Sequence, residues 1–382
     1  MRHGLNTVLR ALGLAASALL ASCGGGDGGP GAWERDANPG LPEMVTVAPE
    51  NTGDGWTPST PTAEGMDSTA LLATLEAIRN GEYRGVDSMV VIRHGRLVAE
   101  GYFNGYGRDT LHDLRSSGKS FTSALAGIAI EQGLLGLDDP ISLHIPQFEN
   151  HANMSDQKRA IRIFHLLNMN SALECNDWDP GSPGQEERMY DHKDWVKFIL
   201  DLPMINEPGS VPSYCTGGVI VLGHIISLRS GMALDDYAQA YLFGPLGIRQ
   251  SGWRRSPDGR ATGGGGLRLA PRDAARLGAL YLNGGTWNGT RVVPSSWVQQ
   301  SQRRINTLGR DGYGFLWWKR AFDRGVAGRT IESFFTSGNG GNFIFVFPEL
   351  DLVVMFTGSN YNSQLMDQPF LIPADRLLPA VH

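Results

Sequence analysis

Residues 116–135 read Ser-Ser-Gly-Lys followed by SFTSALAGIAIEQGLL, and the rest of the chain is read outward from them. Phe121, Leu125, Ile128 and Ala129 recur at helical spacing, and Gly133 is a natural stop, so the pattern predicts a helix over Ser116–Gln132. On such a helix Ser116 and Lys119 are neighbours on one face, within reach of each other. A serine hydroxyl is a poor nucleophile until a base takes its proton. A lysine becomes that base when burial and the positive end of a helix lower its pKa. The N–H of Ser116, in the first turn, has no intrahelical partner and is placed to hold an oxyanion.

Other chemistries fit less well. Ser155-Asp156-Gln157-Lys158 repeats the spacing, but Arg159 and Arg162 follow it in a charged stretch that reads as solvated surface. Gly118-Lys119-Ser120 resembles the end of a phosphate loop, yet the glycine that motif needs at position 113 is Asp113. There is no G-x-S-x-G elbow, and no histidine pair has the H-E-x-x-H spacing of a zinc site. His112, close to Ser116, is the histidine to examine. Asp177, Asp179, Glu186 and Glu187 lie in a Pro/Gly-rich loop and read as a solvated face rather than a metal site. No metal or organic cofactor is implied. A net charge of −6, with 41% hydrophobic and 19% charged residues, describes a globular chain and gives no support for nucleic-acid binding.

The flanks set the architecture. Ser68–Asn80 reads as a helix, and Ser88–Arg93 and Leu97–Phe103 as a hairpin turning at His94-Gly95-Arg96. From about 138 to 290 the pattern is mostly helical, as in Trp195–Leu200, Val219–Arg229 and Ala274–Asn283, and Gly263–Gly266 reads as a tight loop. Strand character returns in Tyr313–Trp318, Phe343–Phe347 and Leu352–Thr357, the last two joined by a Pro348–Asp351 turn. Strands at both ends and helices between them predict an α/β (α+β) fold: a mainly antiparallel sheet flanked by helices, with an all-helical domain inserted. The boundaries are 63–112 plus 290–378 for the sheet domain and 113–289 for the helical one. Trp317, Trp318 and Tyr313 are either pocket lining or sheet core.

Ser116-x-x-Lys119 and the helix after it resemble the penicillin-recognising serine enzymes: class C β-lactamases, D-alanyl-D-alanine peptidases, family VIII carboxylesterases and 6-aminohexanoate-dimer hydrolases. The resemblance runs from about 67 to 358 and implies a β-lactamase/transpeptidase-like fold with the site in the crevice between domains. In place of that family's Y-x-N stands Tyr214-Cys215-Thr216, before GGVIVLGHII. It implies that Tyr214 passes the proton from Lys119 to the leaving group. Thr216 replaces the asparagine amide that contacts substrate. The K-T-G or H-x-G motif is best matched by Asn339-Gly340-Gly341, which makes the N–H of Asn342 the second oxyanion donor. With Asn339 neutral, affinity for an anionic substrate falls, unless Arg115 or Arg268 restores the charge. The resemblance therefore implies hydrolysis of an ester or small amide through an acyl-enzyme. A β-lactamase or D-alanyl-D-alanine peptidase is the first alternative, and a non-catalytic ligand-binding lipoprotein the second.

Arg2, His3 and Arg10 before the apolar run Leu12–Leu20 read as a secretory signal over 1–22. Leu20-Ala21-Ser22-Cys23 resembles a bacterial lipobox, which implies a lipid on Cys23. Residues 23–62 then form a Gly/Pro-rich tether and lead-in, beginning with Gly24–Gly29. Glycine at position 24 points to the outer membrane, facing the periplasm, with the lipid bilayer as a partner. Cys175 and Cys215, in an exported chain, suggest a disulfide. Cys23→Ser is expected to abolish lipidation and release the protein from the membrane fraction, as read by fractionation and intact mass.

Overall fold

The computed structural model describes residues 37–323 and 329–382; Cys23 and the signal lie outside them. Nine strands form one antiparallel sheet: β1 (Met44–Thr46), β2 (Val86–Arg93), β3 (Arg96–Tyr102), β4 (Asn306–Leu308), β5 (Asp311–Gly314), β6 (Trp317–Asp323), β7 (Thr330–Gly338), β8 (Asn342–Phe347) and β9 (Leu352–Gly358). Their order is β1-β3-β2-β9-β8-β7-β6-β5-β4, so strands from the two ends of the chain meet where β2 pairs β9. The β2–β3 turn places His94 and Gly95 at φ 51° and 70°, the left-handed pair that a tight hairpin requires.

The central strands are buried on both faces because their apolar residues do not alternate with polar ones. Alternate side chains go to different cores. Val90, Ile92, Ile344, Val346, Val353 and Met355 join one cluster with the middle of the chain. Met89, Val91, Phe343, Phe345, Val354 and Phe356 join another, under helix α1 (Ser68–Arg79) and the C-terminal helical segment 368–377.

Three further helices matter for the site: α2 (Gly118–Glu131), α3 (Thr216–Ser230) and α4 (Pro271–Leu282). The expected helix from Ser116 begins instead at Gly118, after a 3-10 turn over Arg115–Ser117. Helix α4, read from sequence as part of the inserted region, packs on the sheet. The expected disulfide is present between Cys175 and Cys215. The second Ser-x-x-Lys is structural rather than solvated. Lys158 is fully buried, with Nζ donating to the carbonyls of Ala152 (2.7 Å) and Leu200 (2.8 Å), while Ser155 Oγ accepts the Lys158 N–H.

Gly278 is what lets α4 lie on the sheet. A Cβ there would stand 2.6 Å from Val353 Cγ1 and 2.7 Å from Ile344 Cγ2. Gly278→Val is therefore expected to destabilise the fold by about 1–3 kcal/mol, measured by denaturant unfolding.

Candidate active site

A short strand, His112–Asp113, leads into the turn that carries Ser116 and pairs with Leu267–Leu269. His112 is a buried anchor of that strand, not a base. Its Nε2 lies 2.9 Å from Asp87 Oδ2, and Asp87 also accepts from Asn104 (2.9 Å) and from the Ser359 hydroxyl. The chain then reverses sharply at Arg115, whose φ is 51°. Asp113 holds that left-handed residue in place by accepting its N–H at 2.8 Å and pairing with its Nε at 2.9 Å. The reversal places Ser116 in the middle of the 3-10 turn, two residues before α2 begins.

Lys119 is 2% exposed, and its Nζ lies 2.8 Å from Ser116 Oγ. The same Nζ donates to the Gly264 carbonyl at 2.5 Å and stands 5.2 Å from the Tyr214 ring centre. Gly263–Gly266 is thus the wall of the site. A Cβ on Gly264 would lie 2.7 Å from Thr216 Cγ2, and one on Gly265 would lie 3.4 Å from the Arg115 carbonyl. Glycine at 264 is what lets the loop lie against Thr216 and bring its carbonyl to Lys119. The run of four glycines was the signal in the sequence; its placement against Lys119 is set by the fold.

Tyr214 precedes Cys215, the N-cap of α3, and is 7% exposed. Its ring stacks on Trp178 (5.2 Å, 3°) and lies 5.8 Å from Trp318. Of the three aromatic residues left open between pocket and core, Trp317 and Tyr313 are fully buried, while half-buried Trp318 borders Tyr214.

Thr216 is turned inward rather than toward a ligand. Its N–H donates to Asp177 Oδ2 at 2.6 Å and its hydroxyl to Glu186 Oε2 at 3.3 Å. Asp177 therefore corrects the reading of that loop as a solvated face, because it is fully buried. Burial, then the nearby Glu186, push its pKa up to about 7, against the pull of Lys119. Asp179 is exposed, as expected. Among the described residues no cluster of His, Cys, Asp and Glu is arranged to hold a metal.

The third motif needs a correction of register. Asn339, Gly340 and Gly341 form the β7–β8 hairpin loop, the two glycines having φ of 97° and 100°. Asn342 is fully buried beyond that loop, paired with Gly338. Its carbonyl accepts from Ser117 Oγ at 2.7 Å, and its side chain bonds the Asn339 carbonyl (2.8 Å) and Gly358 (3.2 Å). It is a packing residue. The strand segment that meets the Arg115–Ser117 turn is Thr336-Ser337-Gly338. A Cβ on Gly338 would collide with the Leu114 carbonyl and lie 3.0 Å from Ser117 N, and Thr336 Oγ1 is 2.9 Å from Ser117 Oγ. Strand β6 pairs with β7 only as far as Phe335, so this edge is open. The Gly338 carbonyl accepts the Gly341 N–H and so points into the hairpin. In a planar trans peptide the next N–H points the other way, so the Asn339 N–H faces the open edge. Asn339's side chain is bonded to Asn362. Of the two arginines considered for charge, Arg115 adjoins Ser116 and lies over the Tyr361 ring at 4.5 Å, while Arg268 stands opposite Asp113 in register.

The sequence pattern of the β-lactamase family matches residues 73–372. The 6-aminohexanoate-dimer hydrolase of Paenarthrobacter ureafaciens is 25% identical over 341 residues, covering 82% of each chain. Esterase EstB of Burkholderia gladioli is 27% identical over 215 residues, covering 50% of this chain and 54% of its own. A class C β-lactamase structure from Rhodobacter sphaeroides shares the fold, with a TM-score of 0.57 at 18% identity, over 80% of this chain and 99% of its own.

Gly338→Ala is expected to displace the adjoining Asn339 N–H and to lower kcat for a p-nitrophenyl ester by about 10²-fold, the scale on which losing an oxyanion donor acts. The melting temperature reports whether the fold survives, and an unchanged kcat would place the strand's contact with the nucleophile elsewhere.

Proposed function

The chain belongs to the β-lactamase family, and on that footing we propose that it hydrolyses an ester or small amide through an acyl-enzyme on Ser116. That it is a serine hydrolase follows from its family and its relatives. The observation that carries the assignment of residues is the 2.8 Å separation of the buried Lys119 Nζ from the Oγ of half-buried Ser116.

Lys119, as the neutral amine, takes the Ser116 proton while Oγ bonds to the acyl carbon. The carbonyl oxygen becomes an oxyanion between the N–H groups of Ser116 and Asn339. Tyr214 passes the proton to the leaving oxygen or nitrogen, whose bond to the acyl carbon then breaks. Water attacks the acyl-enzyme with the proton moving back along the same path, and the free acid leaves. Esters and small amides are favoured over anionic drugs or peptide termini because the strand facing the nucleophile carries Thr336 and Asn339, neither a cation. Arg115, next to Ser116 in the chain, has its Nε paired with Asp113.

Export and lipid anchoring through Cys23, at the outer membrane and facing the periplasm, belong to the same proposal. The Leu20–Cys23 motif and the glycine tether support them, and a disulfide suits an oxidising compartment.

The test is intact mass after a fluorophosphonate probe, with p-nitrophenyl butyrate turnover alongside. Wild type should carry one adduct. Ser116→Ala should carry none and lose about 10⁴-fold or more in kcat, as serine hydrolases do without their nucleophile. A folded wild type without an adduct would overturn the assignment.

A further inference from the structure

Tyr214 ends a loop whose Ile205 and Val211 are solvent-exposed, yet its proton transfer needs placement to within about 0.5 Å. Met169 takes the Ser213 N–H at 2.7 Å, and most of the remaining ties come from one four-residue stretch, Cys175-Asn176-Asp177-Trp178. Ser213 Oγ donates to the Cys175 carbonyl at 2.7 Å. The Tyr214 carbonyl accepts the Asp177 N–H at 2.8 Å, and the Tyr214 ring lies flat on Trp178. Cys215 is bonded covalently to Cys175, and the Thr216 N–H donates to Asp177 Oδ2 at 2.6 Å. Four consecutive residues, 213–216, are thus each tied to the same short segment.

We propose that Cys175–Trp178 is a clamp that positions Tyr214 for proton transfer, with Asp177 as its central positioning residue. The proposal rests on the reading of Tyr214 as the proton shuttle. Asp177 suits the task because it uses both carboxylate oxygens, Oδ2 for Thr216 N–H and Oδ1 for Glu186 N–H at 3.0 Å. An asparagine has a single acceptor oxygen and cannot hold both amides in this way. A fully buried carboxylate is a costly choice for fold stability alone, since burying a charge is unfavourable unless it is paired. Its position near Lys119 and Glu186 adds sensitivity: Lys119 favours the charged form and Glu186 the neutral one.

The test is a double-mutant cycle on p-nitrophenyl butyrate turnover with Asp177→Asn and Tyr214→Phe, with fluorophosphonate labelling of Ser116 as the check on folding. Asp177→Asn is expected to lower kcat about 30-fold with KM within about threefold, and to lower it less than about threefold once Tyr214 is Phe, because residues acting through one group are not additive. Two losses that multiply would overturn the clamp while leaving the shuttle intact. Tyr214→Phe with unchanged kcat would overturn the shuttle and the clamp together. If Asp177→Asn does not fold, Trp178→Leu takes its place in the same cycle, with the same two outcomes deciding.

Discussion

A lysine amine kept out of water beside a serine hydroxyl is the constraint on which the rest of this molecule depends. Lys119 is almost wholly enclosed, and desolvation is what makes an amine a competent base near neutral pH. Enclosure carries a cost, offset here by the Gly264 carbonyl and the Ser116 oxygen. For those two atoms to meet Nζ, helix α2, the glycine loop, the start of α3 and strand β7 must converge on one point. The glycines are where they converge. Gly264 admits the loop beside Thr216, Gly338 admits the strand beside the nucleophile turn, and Gly278 admits α4 onto the sheet behind them. A side chain at any of these positions would push main chains apart at a place where tenths of an ångström matter.

What was legible in the sequence was what local periodicity encodes. The β2–β3 hairpin, the strands β8 and β9 and the Ser-x-x-Lys spacing all depend on residues a few positions apart, so one sequence shows them. The sheet built from both ends of the chain followed from the same signals. The start of α2 was misplaced by two residues because the Arg115 reversal depends on Asp113 as a partner, not on helix propensity.

The third motif was missed by three residues for an instructive reason. Asn339-Gly340-Gly341 has the conspicuous glycines, but those serve the positive φ of a hairpin loop. Gly338 is the glycine the site needs, and its requirement comes from atoms of Leu114 and Ser117, far away in the chain. Glycines used for conformation and glycines used for clearance look alike in sequence. Lys158 shows the same ambiguity for charge: its neighbours are solvated, but its own amine is capped by two carbonyls that only the fold brings near.

Asp177 carries the argument one step further. In a Pro/Gly-rich loop an acidic residue reads as solvated, and Asp179, two positions on, is so. Asp177 differs because the Cys175–Cys215 bond brings its loop to the start of α3, where an unpaired helix amide seeks an acceptor. Burial there raises the energy of the charged form, while the amides of Thr216 and Glu186 and the charge on Lys119 lower it. The opposing effects leave the carboxyl with a pKa of about 7. Fold, disulfide and charge are therefore one problem in this site: the covalent link that brings the loop in also sets an acid within the electrostatic reach of Lys119.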